Sequence, residues 1–222
     1  MIGNSVVIMG ASEQAKVAID ILEQRSAYNL RGLIDSYKAA GGGLYDHLIL
    51  GAEDVLEQLW RAGEIHGGII AVGDNSSRRK FAERVKARLP DFRFITLVHP
   101  SAVLGRGVSI GAGSIVMAGV VVNSDSTIGE HCIVNTKSSM DHDGVMGDFS
   151  SLGPGATAGG KVKIGEGSAI GLGANVIHGV SIGRDTVLGA GALAVADVPS
   201  DCVAYGVPAR VVRRREPTDR YL

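Results

Sequence analysis

Between Leu104 and Ala194 the chain repeats every six residues without a slip. Leu104, Ile110, Val116, Val122, Ile128, Val134, Met140, Met146, Leu152, Ala158, Ile164, Ile170, Val176, Ile182, Leu188 and Ala194 form one register, and all are apolar. Four residues after each comes a second register, from Val108 and Ser114 through Cys132 and Ser138 to Ala192 and Val198, in which every residue is small or β-branched. A helix needs a period near 3.6 and an ordinary strand a period of 2, so neither accounts for this. A period of six is the signature of a parallel β-helix, each repeat forming one flat face and its corner.

With three faces to a coil, eighteen residues close one turn and the repeats make a little over five coils. Coils stacked at the inter-strand spacing give a prism about 25 Å tall. The apolar residue fills the axis, and the small residue fits where the chain turns inward at a corner. Glycine follows the apolar residue at Gly105, Gly111, Gly129, Gly147, Gly153, Gly165, Gly171, Gly183 and Gly189. This placement predicts that these glycines supply the positive φ of sharp corners. Residues thirty-six apart share a face two coils apart, so the sequence says which polar side chains are neighbours.

The first hundred residues lack the hexads and alternate short β and α patterns instead. Strands are expected at 5–9, 29–34, 68–72 and 93–98, and helices after residue 12 and at 53–62 and 76–89. Tyr37 to Tyr45, with three consecutive glycines, reads as a mobile loop. The alternation implies a small parallel sheet. The expected organisation is therefore a Rossmann-like α/β half-domain over 1–99, a β-helix over 100–204 and a tail over 205–222.

The strand, the turn at Gly10, a helix opening at Ser12, Glu13 and Gln14, and an acid at Asp35 closing the next strand suit a nucleotide. A helix N-terminus favours phosphate, and such an acid accepts ribose hydroxyl hydrogen bonds. Only Gly10 stands where a dinucleotide fingerprint needs three glycines, which argues against a nicotinamide cofactor. Gly73, Asp74 and Asn75 end another strand at the same carboxyl edge.

Net charge is −1, with 45% hydrophobic residues. That balance points away from nucleic acid, although Arg210 and Arg213 to Arg215 form a positive cluster, read as a solvated tail or a contact for a 3′-phosphate. No apolar run is long enough to span a membrane or to serve as a signal peptide. The two cysteines form no disulfide framework: Cys132 falls on the small inward register and Cys202 follows the repeats, next to the tail. A reduced, cytoplasmic protein is the expectation.

His142 lies outside both structural registers, between Asp141 and Asp143. Imidazole takes a proton near neutrality, and a carboxylate on its other nitrogen fixes the tautomer and raises basicity. Neighbours in a flat strand point to opposite sides, so contact with Asp143 requires a corner. A solvated surface histidine is the plainer alternative. His178 follows His142 by thirty-six residues and raises the question of zinc, but Gly147 and Gly183 occupy the places of a third ligand, so no metal is expected.

His99-Pro100-Ser101-Ala102 leads into the repeats, followed by Val134-Asn135-Thr136, then Asp141-His142-Asp143, and Tyr205-Gly206-Val207-Pro208-Ala209-Arg210 closes the chain. This series resembles the bacterial hexapeptide-repeat acyltransferases that N-acetylate nucleotide-linked 4-amino-4,6-dideoxy sugars, of the bacillosamine, perosamine and sialic-acid-cluster type. The resemblance implies a left-handed β-helix, a homotrimer and active sites between neighbouring prisms. It further implies acetyl-CoA as co-substrate, His142 as general base and Asp143 as its support, with a backbone N–H near Gly160 holding the oxyanion. It places acetyl-CoA along Ser151, Gly160, Leu172 and Ala190, and the nucleotide over Ser12 to Gln14, Asp35 and Ser36. Gly73 and Asn75 would lie nearby, and Asn135 would approach the sugar. Gln14 and Ser151 stand where the family usually has histidine, and Lys137 where it has a small residue. Transfer to a hydroxyl or of another acyl group, and a non-catalytic nucleotide-binding prism, remain as alternatives.

Overall fold

The computed structural model describes residues 4–25, 27–216 and 219. The N-terminal part contains β1 (Ser5–Met9), α1 (Glu13–Arg25), β2 (Asn29–Ile34), β3 (Gly43–Leu44), β4 (His47–Gly51), α2 (Glu53–Arg61), β5 (Gly67–Ile70) and α3 (Asn75–Arg88). Its sheet runs β3-β4-β2-β1-β5 and is parallel except where β3 meets β4. Val6, Ile8, Leu33 and Ile69 pack under α1, whereas Val7, Met9, Ile34 and Ile70 pack under α2 and α3. Strands buried on both faces read as continuous apolar runs.

Two expectations for this region are corrected. The 37–45 segment contains β3, which forms a hairpin with β4; glycine-rich strands with few apolar residues carry little pattern to betray them. The 93–98 segment is a strand only at Leu97–Val98, with Phe94 making a single bridge to Gly68.

From Leu97 onward the chain winds into a left-handed parallel β-helix with three sheets, one per face. The first face stacks Leu97–Val98, Ile115–Val116, Ile133–Val134, Ser151–Leu152, Ala169–Ile170 and Val187–Leu188. The second carries the strands from Val103–Leu104 to Leu193–Ala194, and the third those from Ser109–Ile110 to Ser181–Ile182. Facing residues are eighteen apart, as in Val121 opposite Ser139. The apolar register fills the axis from Val116 onward, whereas Leu104 at the open first coil is 40% exposed. The small register is buried too, Cys132, Ser114 and Ser138 among it.

The glycines do a different job from the one expected. None of the nine that follow an apolar residue has a positive φ; the left-handed residue lies two positions later, as at Gly173 (φ 62°) or Asp143 (φ 57°). The nine instead permit coils to stack. A Cβ at Gly147 would lie 2.7 Å from the Glu166 nitrogen of the next coil, closer than real side chains approach backbone.

Cys202–Gly206 continues the first face and pairs antiparallel with Ala209–Arg214. The expected boundary at 204/205 therefore falls inside a strand, and the supposed tail closes the prism. Arg213 and Arg214 are exposed, but Arg215 is buried and donates from Nη1 to the Asp185 carbonyl at 3.0 Å. Arg213 pairs with Asp219.

The two parts are joined across the first face. Outward-pointing Ile115, Met117 and Ile133 enter the core beneath α1. Arg78 of α3 is fully buried; its Nε donates to the His131 carbonyl (2.7 Å) and its Nη2 to the Phe149 carbonyl (3.1 Å), both in the prism. Its Nη1 donates to the carbonyls of Val72 and Gly73, each at 2.9 Å. His131 stacks on Phe149 with ring centroids 5.0 Å apart, and burial, aided by the nearby Arg78, pushes its pKa down to about 4.

Candidate active site

His142 occupies the corner between the second and third faces. Asp143 takes the left-handed conformation there, one that aspartate tolerates better than most residues. The turn brings two sequence neighbours to the same side, and His142 Nδ1 lies 2.7 Å from Asp143 Oδ2. The two flanking acids have separate tasks. Asp141 accepts from the His142 backbone N–H (2.8 Å) and from Asn123 Nδ2 (2.9 Å), and these hydrogen bonds, Asn123 first, hold its carboxyl below the usual range. With Nδ1 engaged, His142 presents Nε2 outward. Gly160, eighteen residues on, leaves the space beside that nitrogen open: a Cβ there would sit 2.7 Å from His142 Nε2. The Gly160 N–H makes no hydrogen bond among the described residues.

A separate cleft of about 530 Å³ runs along the first face where α1 no longer covers it. Gln14 and Gly73 form its wall on the α/β side, and Asn135, Ser151, Leu172, Ala190 and Tyr205 are among its prism residues. The Nε2 of Gln14 is buried and has no hydrogen-bond partner among the described residues. Leu172, 62% exposed, offers an apolar surface at the rim.

Gly10, Ser12, Glu13, Asp35 and Ser36 gather at the carboxyl edge of the sheet, next to this wall. Asp35 is largely occupied there: Oδ2 accepts from the Ala11 N–H (2.8 Å) and Oδ1 from those of Tyr37 (2.8 Å) and Lys38 (3.0 Å). It fixes the loop that shapes the edge. Gly10 (φ 104°) is demanded by the fold, since a Cβ would lie 2.9 Å from the Ala71 carbonyl. Asn75 is buried at the domain joint, where its amide nitrogen donates to Ser151 Oγ (3.3 Å) and to the carbonyls of Gly167 (3.2 Å) and Ser168 (3.1 Å). It anchors Ser151, which lines the cleft.

The structure thus brings Gln14, Gly73, Asn135, Ser151, Leu172 and Ala190 together, and places His142, Asp143 and Gly160 elsewhere, across an entire face of the prism. Two residues join the picture that the site prediction omitted. Lys38 donates from Nζ to the Ala11 carbonyl, putting a cation at the carboxyl edge of the sheet from within the loop segment. Tyr205 lays its ring over Gly189 in the cleft; its place in the closing motif was the available signal. No group of three or more metal-ligating side chains occurs among the described residues, and no helix among them is long and apolar enough to cross a membrane.

Residues 5–85 match the PglD N-terminal domain family. UDP-N-acetylbacillosamine N-acetyltransferase of Bacillus subtilis (strain 168) is 36% identical over 115 residues, 51% of this chain and 51% of that protein. The match spans about half the length of the curated relatives. PerB of Caulobacter crescentus, solved with CoA and GDP-perosamine, superposes with a TM-score of 0.86 at 37% identity, covering 94% of this chain and 97% of that one. Two variants of the Caulobacter enzyme, with one histidine changed to alanine or asparagine, are known with the same ligands. The acetyltransferase domain of PglB from Neisseria gonorrhoeae FA1090, bound to acetyl coenzyme A, gives a TM-score of 0.86 at 30% identity over 95% of this chain and all of that one.

Proposed function

Because the chain belongs to the hexapeptide-repeat family of nucleotide-amino-sugar N-acyltransferases, we propose that it transfers acetyl from acetyl-CoA to the 4-amino group of a nucleotide-linked 4-amino-4,6-dideoxy sugar. The observation that carries the mechanism is the His142–Asp143 pair at 2.7 Å, which leaves Nε2 facing the opening over Gly160. Asp143 holds the ring with Nδ1 as donor, so Nε2 is the basic nitrogen. The substrate amine attacks the thioester carbonyl, Nε2 removes its proton, and the carbonyl electrons move onto oxygen beside the Gly160 N–H. The C–S bond then breaks, and the CoA thiolate accepts the proton from His142. Base catalysis of this kind contributes about 10²- to 10⁴-fold.

The apolar cleft over Ser151, Leu172 and Ala190 suits the pantetheine arm, and Gln14, Gly73 and Asn135 direct the sugar nucleotide towards it from the edge formed by Ser12, Asp35 and Ser36. Since His142 lies a full face away from this cleft on its own chain, the working site requires the cleft of one chain and the His142 corner of a neighbour. A homotrimer of parallel prisms supplies three such pairs, and the exposed apolar side chains of Leu172, Val145 and Ile177 give it surface to bury.

The test is thiol release from acetyl-CoA with UDP-, GDP- and dTDP-linked 4-amino sugars and their 4-hydroxy counterparts. Turnover of an amino sugar that falls at least 10²-fold in His142→Ala is the expected result. Turnover confined to the hydroxy sugars, or an unimpaired His142→Ala enzyme, refutes it.

A further inference from the structure

The same corner of the prism carries a second imidazole aimed into the opening over Gly160. Positions 142, 160 and 178 stack on consecutive coils, and the glycine between the two histidines lets their rings lean together, with centroids 6.1 Å apart and planes inclined at 56°. The point a Gly160 Cβ would occupy is 2.7 Å from His142 Nε2 and 3.0 Å from His178 Nδ1. A nitrogen from each ring therefore faces the space over the Gly160 Cα. That point lies directly outside the backbone whose N–H is unpartnered among the described residues.

The two histidines are not equivalent. Beside His142, the left-handed corner position holds Asp143, whose carboxylate engages Nδ1. Beside His178 the same position holds Gly179, also left-handed, with no side chain to engage Nδ1. His142 therefore turns Nε2 to the opening and carries an acid behind it. His178 turns Nδ1 to the opening, and the left-handed corner position beside it carries no carboxylate. A base and a hydrogen-bond donor are the complementary parts that acyl transfer needs.

We propose that His178 is a second catalytic residue, the side-chain donor that joins the Gly160 N–H in holding the acyl oxygen as it becomes an oxyanion. The proposal rests on the acetyl-transfer reading above. When the amine nitrogen bonds to the thioester carbon, the carbonyl electron pair moves to oxygen, and His178 Nδ1–H and the Gly160 N–H hydrogen-bond to it. When the carbonyl re-forms, the electron pair of the broken C–S bond leaves on sulfur. The proton carried by His142 passes to that sulfur, and His178 ends with the proton it began with.

Steady-state kinetics of the full-length enzyme with acetyl-CoA and the accepted sugar nucleotide test this. Loss of one oxyanion donor costs about 10²-fold in kcat, so His178→Ala should fall by that much with KM for both substrates nearly unchanged. His178→Asn can place an amide N–H where Nδ1 stands and should recover at least about 10-fold over alanine, whereas His178→Phe, a ring without a donor, should not. Unchanged kcat in His178→Ala, a loss confined to KM, or asparagine no better than alanine each overturns the role. Thermal unfolding of each variant checks that the exposed position leaves the fold intact; a kcat loss that tracks unfolding in all three variants also overturns it. The wild type is measured first. Its failure to turn over any acetyl-CoA and amino-sugar pair overturns the proposed function and this role together, while turnover by the wild type and by His178→Ala alike overturns only the role of His178.

Discussion

Replacing Arg78 with methionine should loosen the α/β domain from the prism by about 3–5 kcal/mol. The methionine keeps most of the buried stem and its packing, so the loss isolates the guanidinium. Four carbonyls accept from that group: His131 and Phe149 in the prism, Val72 and Gly73 beside α3. Charge-assisted hydrogen bonds contribute about 1.5–3 kcal/mol each, and a buried acceptor left empty costs about 1–3 kcal/mol. Relief of the guanidinium's own desolvation offsets part of this, as does water entry, since three of the carbonyl contacts are only partly buried. Asn75 Oδ1, which accepts from Nη2 at 2.6 Å, would also lose a bond and with it some of its hold on Ser151. The assay is urea denaturation read by fluorescence of the single tryptophan, Trp60, which packs on Phe92 in the α/β domain. A drop in midpoint on this probe, with the prism's far-ultraviolet signal melting later, is expected. An unchanged midpoint would show that the carbonyls do not depend on Arg78.

Buried neutral His131 makes a pH-dependent contribution, because its folded pKa near 4 lies below its ordinary 6.5. The stability it supplies is fully present above pH 6.5 and lost as pH falls towards 4; at 1.36 kcal/mol per unit this is about 3 kcal/mol. His131→Phe should flatten that part of the stability–pH curve, and an unaltered slope refutes the assignment. The two classes of glycine should respond differently to alanine. Gly147→Ala forces apart hydrogen-bonded coils and should cost more than about 3 kcal/mol, whereas Gly155→Ala meets open space and bears only left-handed strain of about 1–2 kcal/mol. Equal melting temperatures for the two variants would contradict the stacking role. Gln14→Ala should raise KM for the sugar nucleotide several-fold while leaving that for acetyl-CoA unchanged; the reverse pattern removes Gln14 from the nucleotide side. Finally, co-expressed His142→Ala and Leu172→Arg chains, each inactive alone, should regain activity in mixed oligomers, and failure to complement would place the site within one chain.

How much of this was legible without coordinates depended on how local the cause was. Each hexad meets the same surroundings, with an axis inside, a coil above and a coil below, so the repeat alone determined the prism, its eighteen-residue coil and the inward place of Cys132. It also isolated His142, because a residue outside both registers has no structural duty to explain it. The resemblance supplied the roles that periodicity cannot. Local pattern failed where the partner is distant. The glycines after the apolar residues looked like corners because a sequence shows which residue follows which, not which backbone passes 2.7 Å away on the next coil. Arg78, in the run Arg78-Arg79-Lys80, carries no sign that it alone is buried against carbonyls more than fifty residues ahead. Asn75 and Asp35 had the residue types of ligand contacts, and only the folded chain revealed how far their polar atoms are engaged within the protein. The tertiary structure also decided the shape of the reactive corner. A left-handed Asp143 brings two sequence neighbours face to face, and a bare Gly160 admits two histidines thirty-six residues apart to one opening, because coil spacing and side-chain lean are properties of the stack rather than of any one repeat.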